Sequence, residues 1–402
     1  MHRKELKLPW LFLGSLITNT GISFIWPLTT IYMHEYLHES LTVSGLVLLI
    51  NSLATMGGNY VGGRLFDRWK PYPTILGGIT INIVATLSLI FFHGWPAYPL
   101  LLILLGLGNG VVATGVNAYA TLVTSRKPSY VFNVLYFMSN LGLVIGTLIV
   151  GFVLPFGITY IFILACALFV LFWIVAFLHF KVQKPQRAKN ASVKATRQPI
   201  AKHVLWLMVL LFVTWVAYEQ WQSNVSAFML SLGMNVRDYS LVWTLNAVEI
   251  VLFQPVLTVF DEWLSKHIRA RLTTGFALFA VSFVILLVAR QYWQFLGAMA
   301  VLTIGEILAL PAVSTYVDLF SPNDARGRYQ GFVQMLASAG RAVGPVMGAL
   351  LIDATNYHVL FISVIVMLVA MNTIFFHTSQ SGAIAKKSLN TSSHFLHNHL
   401  LA

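Results

Sequence analysis

Long apolar stretches separated by short polar breaks run through nearly the whole chain. A membrane-crossing helix needs about 20 mostly apolar residues. Stretches of that kind fall at 9–33, 42–66, 73–93, 97–123, 131–154 and 157–179, and again at 203–231, 239–260, 270–289, 293–317, 329–352 and 357–377. They predict twelve membrane helices in two groups of six. The break at 180–202 is basic and almost free of large apolar residues, which makes it a solvated linker. Residues 378–402 are expected to form a disordered tail. The chain therefore divides into a bundle (1–179), a cytoplasmic linker (180–202), a second bundle (203–377) and a tail (378–402), an all-α membrane protein of two six-helix bundles.

Composition agrees. Hydrophobic residues make up 57% of the chain and charged ones only 9%, with mean hydropathy +0.76, against roughly 25% charged in soluble domains. If both termini are cytoplasmic, 22 of the 25 Lys and Arg residues fall in cytoplasmic segments; Arg237 and Arg290 lie outside and Arg341 lies within a span. Such a bias sets orientation. The net charge of +12 follows from topology, not from nucleic-acid binding. The expected location is a bacterial cytoplasmic membrane, spanned many times. The first apolar run exceeds 20 residues and lacks a small-residue cleavage site, so it is expected to remain as an anchor. Cys166 is the only cysteine, which excludes an intrachain disulfide and a cysteine metal cluster. Gly108 and Gly110 lie inside an apolar span, not after a strand, so they form no phosphate loop. No metal-ligand spacing or catalytic constellation is present, and an enzyme or receptor is a remote alternative.

The two halves repeat. Gly142 and Gly146 stand in the fifth span; Gly340, Gly344, Pro345 and Gly348 stand in the eleventh, 198 residues later. Gly-x-x-x-Gly alone signals close helix packing. At matched places in two halves it signals a duplicated six-span unit, a transporter architecture with its site between the repeats. Arg341, Gly344, Pro345 and Gly348 share one helix face, and Pro345 is expected to loosen the backbone ladder.

Three acids, Glu219, Glu249 and Glu306, fall near the middle of apolar spans. A charge there costs at least about 2.5–3.5 kcal/mol on insertion scales, so an intramembrane acid is a functional hypothesis by default. Moving protons needs a group that is charged and neutral by turns, as a desolvated carboxylate can be. Glu306 and Arg341 fall at similar depth in neighbouring spans, as a titrating site with its partner or as a pair that only fixes helix register. Glu219 shares its face with Trp215 and Gln222, and rings beside a carboxylate can hold organic cations. Glu249 shares a face with Asn246 and Phe253 and is either a third titrating site or a satisfied contact. Asp318 and Asp353 sit near span ends and are expected at the interface. The first half has no mid-span charge; its polar groups include Asn19, Asn51, Asn82, Asn109, Asn117 and Asn140. Candidate cavity residues are Trp26, Asn117, Tyr119 and Tyr136 from the first half. From the second come Trp215, Tyr218, Trp221, Gln222, Trp243 and Asn246. The division suggests substrate contacts from both halves and proton chemistry from the second.

These features resemble the major facilitator superfamily, and within it the twelve-span drug:proton antiporters. Gly63-Arg-Leu65-Phe-Asp67-Arg68 is similar to the family's Gly-x-Leu-Ala-Asp-Arg loop after span 2, although Lys70, Pro71 and Tyr72 replace its later glycine and basic pair. The resemblance implies two bundles related by a pseudo-two-fold axis. It also implies a cytoplasmic gating role for Gly63, Asp67 and Arg68, with Arg326 and Arg328 in the second-half loop. The Gly-x-x-x-Gly-Pro pattern resembles the antiporter motif, with Thr147 in place of proline in span 5. Span 4 lacks the arginine that the family often uses as a proton relay. Gly305-Glu306 with Pro311, followed by Arg326-Gly-Arg328-Tyr-Gln-Gly331, is similar to a bacterial multidrug-efflux branch in which the span-10 glutamate is a proton-coupling candidate.

The expectation is therefore proton-coupled efflux of amphipathic or cationic small molecules by alternating access. The alternative is proton-coupled uptake of a sugar, peptide or other metabolite. The expected partners are a small-molecule substrate, protons and the lipid bilayer. The chain is expected to work as a monomer with no bound cofactor, drawing on a proton gradient.

Overall fold

The computed structural model describes residues 6–25, 29, 32–39, 41–182, 200–322 and 324–399. Trp26 and most of the linker lie outside the described residues. Twelve long helices dominate: α1 Leu8–Ser23, α2 Leu41–Arg68, α3 Pro71–Phe91, α4 Ala97–Ala120, α5 Pro128–Val153, α6 Ile158–His179, α7 Lys202–Gln222, α8 Val236–Val259, α9 Ile268–Val288, α10 Tyr292–Phe320, α11 Arg326–Ala354 and α12 Tyr357–His399. Ten of them, α3 to α12, are long and apolar enough to cross a membrane. As described, α1 has only 16 residues. The middle of α2 is diluted by Asn51, Ser52, Thr55 and Asn59.

Local chemistry explains the boundaries. Pro71 and Pro128 open α3 and α5, where a missing backbone N–H costs nothing. Asn235 and Asp238 form a reciprocal capping box at the start of α8, both bonds 3.0 Å. The seventh span, expected over 203–231, runs from Lys202 to Ser231, with an interruption at Ser223 that divides it into α7 and a short helix, Asn224–Ser231. There Ser223 Oγ bonds Glu219 O at 2.7 Å and Ser226 Oγ bonds Ser223 O at 2.6 Å, so side chains compete with the backbone ladder. At the other end, α12 runs on to His399, where the sequence reading places a disordered tail after 377. No proline interrupts that stretch.

Packing follows the repeat. In the first half α1 packs on α5 and α6, α2 on α4, and α3 on α4 and α6; in the second, α7 packs on α11 and α12, α8 on α10, and α9 on α10 and α12. Between the halves α2 meets α11 as α8 meets α5, and α4 meets α11 as α10 meets α5. Each of these pairings has its counterpart six helices along, which is the two-fold relation expected from the repeated glycines. Each half holds two apolar clusters, one toward the end bearing the Lys- and Arg-rich loops (the basic end) and one toward the other end. Side chains such as Phe152, Val259 and Leu350 are exposed on the outside, as lipid contact requires.

Glycine sets the closest approaches, since lipid supplies no hydrophobic drive and packing must do the work. A side chain at Gly142 would meet Leu16 O at 2.6 Å, and one at Gly146 would meet Thr20 O at 2.7 Å. In the second half, Gly340 would meet Trp215 Cβ at 2.5 Å and Gly344 would meet Glu219 Cβ at 2.8 Å. Gly348 packs on Gln220, whose Nε2 also donates to Gly344 O at 2.8 Å. The long helix α11 passes through Pro345 without ending.

Candidate functional site

A cavity of about 460 Å³ lies between the halves, walled by α1, α2, α4 and α5 on one side and α7, α10 and α11 on the other. Its first-half wall carries amides and hydroxyls and no charge: Asn19, Asn51, Asn109, Asn117 and Asn140 line it. Several of these amides turn back onto backbone. Asn117 Nδ2 donates to Ala113 O and Asn140 Nδ2 to Tyr136 O, both at 2.9 Å. Asn82 stands behind the wall and donates to Asn109 Oδ1 at 2.8 Å.

The second-half wall carries Trp215, Tyr218, Glu219, Gln222, Glu306 and Arg341. The helical face of Trp215, Glu219 and Gln222 is thus brought to the cavity as a unit. Glu306, 3% exposed, accepts the Tyr136 hydroxyl at 2.5 Å on Oε1 and the Asn246 amide at 2.9 Å on Oε2. Glu219, 4% exposed, has no hydrogen-bond partner for Oε1 among the described residues. The Arg341 guanidinium lies 4.5 Å above the Trp215 ring, and its Nη2 donates to Ser338 Oγ at 3.2 Å. Glu219 lines the same cavity as Arg341. The expected Glu306–Arg341 pair is therefore replaced by two separate arrangements. Gly340 and Gly344 draw α7 against α11, and Arg341 stands over Trp215, while Glu306 is held by Tyr136 and Asn246.

Other sequence candidates lie off the cavity. Tyr119 is fully buried in the first-half core, donating to Phe180 O at 2.9 Å. Trp221 is fully buried in the second-half core. Trp243 packs edge-on to Tyr218 at 5.7 Å, behind the wall. Asn246 also sits behind it, reaching Glu306 and Thr303 Oγ1, each at 2.9 Å. Glu249 is buried near Thr303, away from the cavity. Trp26 lies outside the described residues.

At the basic end the halves are bonded together. Asp67 of α2 accepts the backbone N–H groups of Gly327 and Arg328 at 2.9 and 2.6 Å, and Gly63 packs on Gly327 O. Arg326 reaches Thr121 O and stands 3.6 Å from Asp318. Asp318, expected at the interface, is instead 5% exposed, because α10 carries it beneath the start of α11. Arg328 lies over the Tyr329 ring at 5.7 Å, and Arg68 is exposed. A second cluster escaped the sequence reading. Asp261, from the short helix Asp261–Lys266, accepts Ser129 Oγ and Asn133 Nδ2, the latter at 3.1 Å. Arg271 donates to Asn133 Oδ1 and Leu308 O, both at 2.8 Å. Counted from sequence as a loop cation, Arg271 is 4% exposed, because α9 begins at Ile268 and packs it between the halves. The missed signal is a second repeat: Phe66-Asp67-x-Trp69 recurs as Phe260-Asp261-x-Trp263.

Comparison with known proteins gives this arrangement its family. The model of the Major Facilitator Superfamily matches residues 11–273 and 225–401. The Bacillus subtilis (strain 168) protein named "Uncharacterized MFS-type transporter YttB" is 38% identical over 363 residues, covering 89% of this chain and 91% of its own. Multidrug resistance protein MdtH of Escherichia coli O9:H4 (strain HS) is 24% identical over 357 residues, 86% of each chain. Two solved structures share the fold. The proton:xylose symporter XylE has a TM-score of 0.76 at 13% identity, covering 92% of this chain and 94% of its own. A bacterial homologue of the iron transporter ferroportin, in its outward-facing state, has 0.76 at 14%, covering 93% and 100%. With twelve helices in two related halves and a family match over nearly its whole length, the chain belongs to the Major Facilitator Superfamily, a family of membrane transporters and not of enzymes.

Proposed function

We propose that the protein is a secondary active transporter that exports amphipathic or cationic small molecules in exchange for protons. The observation that carries this is the second-half wall, where Glu219 and Glu306 stand beside Trp215 and Tyr218 in one cavity. Aromatic faces and a carboxylate attract an organic cation, while the same carboxylates can carry a proton across the apolar core. Substrate and proton then compete for one wall. The distant likeness to MdtH supports efflux. No cofactor enters this scheme, and one chain suffices for it.

The Lys and Arg bias supports assigning the basic end to the cytoplasm. The bonds from Asp67 to α11 and from Asp261 to α5 then close the cytoplasmic side, as in an outward-facing transporter. Rocking the halves breaks these bonds and opens the other side. Glu219 and Glu306 are the proposed proton carriers, with Arg341 biasing Glu219. Glu249 stands off the cavity and is proposed as a structural contact.

The test is efflux of a cationic dye from proteoliposomes under an imposed pH gradient. Glu219→Gln and Glu306→Gln are expected to abolish gradient-driven transport while Glu249→Gln retains it; retention in both cavity variants overturns the reading. A second reading, proton-coupled uptake of a polar metabolite, is favoured by the amide-rich first-half wall. Acidification of the outside medium on addition of outside solute would select exchange, and its alkalinisation would select uptake.

A further inference from the structure

Ser129, Asn133 and Tyr136 stand at i, i+4 and i+7 on α5, one face of one helix. All three bond across to the second half. Ser129 and Asn133 donate to Asp261 at the basic end, and Tyr136 donates to Glu306 at the cavity wall, 2.5 Å away. The stripe thus runs from the seal to the acid. Glu306 is divided between the halves: Asn246 of its own half holds Oε2, and Tyr136 of the opposite half holds Oε1.

We propose that Tyr136 is the positioning residue through which the charge on Glu306 controls closure of the basic end. This rests on the reading of Glu306 as a proton carrier. A phenol bonds a carboxylate about twice as strongly as a neutral carboxyl. With Glu306 charged, the Tyr136 bridge draws α5 onto α10 and reinforces the seal at Ser129 and Asn133. With Glu306 protonated the bridge weakens, and the halves part at that end. Proton arrival thereby triggers the return to the cytoplasm-facing form. Proton release there restores the charge that closes it.

Other groups stand near Glu306. Tyr218 on α7 bonds it as well, and Glu219 on α7 and Arg341 on α11 share its cavity. Glu249 on α8 reaches Thr303, and Arg271 on α9 bonds the Ile307 and Leu308 carbonyls that follow it. Measurement in a Glu219→Gln, Glu249→Gln, Asp318→Asn background leaves Glu306 and Asp261 as the buried second-half carboxyls among the described residues, and Glu306→Gln tells them apart.

The experiment places spin labels at Lys127→Cys and Glu262→Cys, an exposed pair bridging the halves, in a Cys166→Ala protein in lipid nanodiscs between pH 5.5 and 8.5. The closed-to-open ratio is expected to fall about tenfold as Glu306 is protonated. Tyr136→Phe, which deletes one hydroxyl, is expected to flatten that dependence. Asn246→Ala, which removes one of the acid's same-half partners, is expected to keep it. A Tyr136→Phe protein that still closes with rising pH overturns the inference, and so does an Asn246→Ala protein that is equally flat. Glu306→Gln separates the two readings. If it stays pH-dependent, Glu306 is not the proton carrier; if it is flat while Tyr136→Phe is not, only the role of Tyr136 fails.

Discussion

Asp67 Oδ2 accepts the backbone N–H of Arg328 at 2.6 Å, and its Oδ1 accepts that of Gly327 at 2.9 Å. A carboxylate of one half thus caps the first turn of a helix in the other. The residue preceding α11, Ala325, offers no side-chain cap of its own. A negative charge at a helix N-terminus contributes up to about 2 kcal/mol in partly buried settings, and here that contribution exists only while the halves touch. Asp67→Asn keeps an acceptor but loses the charge. It is expected to lower the closed-to-open ratio at the basic end by about tenfold, near 1.4 kcal/mol. Cross-linking yield between Lys127→Cys and Glu262→Cys reads this directly, and an unchanged yield would remove the cap from the gating scheme.

The repeated glycines make a sharper demand on stability. A methyl at Gly340 lands 2.5 Å from Trp215 Cβ and 2.8 Å from Phe212 O, and at Gly142 it lands 2.6 Å from Leu16 O. Backbone cannot step aside as a flexible side chain can, so Gly340→Ala and Gly142→Ala are each expected to cost about 1–3 kcal/mol. Gly297, also helical, has open space where a methyl would go. Gly297→Ala is expected to be neutral or to stabilise by up to about 1 kcal/mol. Thermal unfolding in detergent distinguishes the two groups. Equal shifts would mean that the motif does not set the helix spacing.

The spans were legible because each needs only a run of apolar residues, and the duplication was legible because glycine has few uses inside a helix. The wall of Trp215, Glu219 and Gln222 followed from helical spacing alone. Aromatic residues were harder. Tyr119 and Trp221 are as polar-tipped as Tyr136 and Trp215, yet they turn into the cores of their halves, and periodicity does not say which of two buried faces is a cavity. Arg271 passed for a loop cation because it stands beside a predicted boundary, where a shift of two residues moves a charge from water into protein. Asp261 was hidden for a different reason. Its partners Ser129 and Asn133 are more than a hundred residues away, and only the faint Phe-Asp-x-Trp repeat marked it.

Asp261 and Arg271 are both buried, and Ser129 and Asn133 of the opposite half stand between them. Removing one member of a buried charged network strands the other and costs about 3–5 kcal/mol. Arg271→Met and Asp261→Asn are each expected to destabilise by that order. The double variant is expected to cost less than the sum, since neither charge is then left alone. A double-mutant cycle on unfolding measures the coupling. Strict additivity would show that the two charges do not sense each other through the intervening side chains.

Lys127 and Glu262 also join the halves, at 2.8 Å, but with side chains 52% and 80% exposed. The Lys127 ammonium bonded to it holds the Glu262 carboxyl below the usual carboxylate range. A depressed folded-state value stabilises above the ordinary carboxylate range and loses that effect as pH falls through the folded value, which lies below that range. From pH 5.5 to 8.5 this pair therefore contributes no pH dependence. Exposed pairs are also screened by salt and offset by side-chain entropy. Glu262→Gln is expected to leave unfolding temperature and dye transport unchanged across that range, in low and high salt alike. A clear loss of transport would make the surface pair part of the seal, and the labels at Lys127→Cys and Glu262→Cys would then perturb the closure they report.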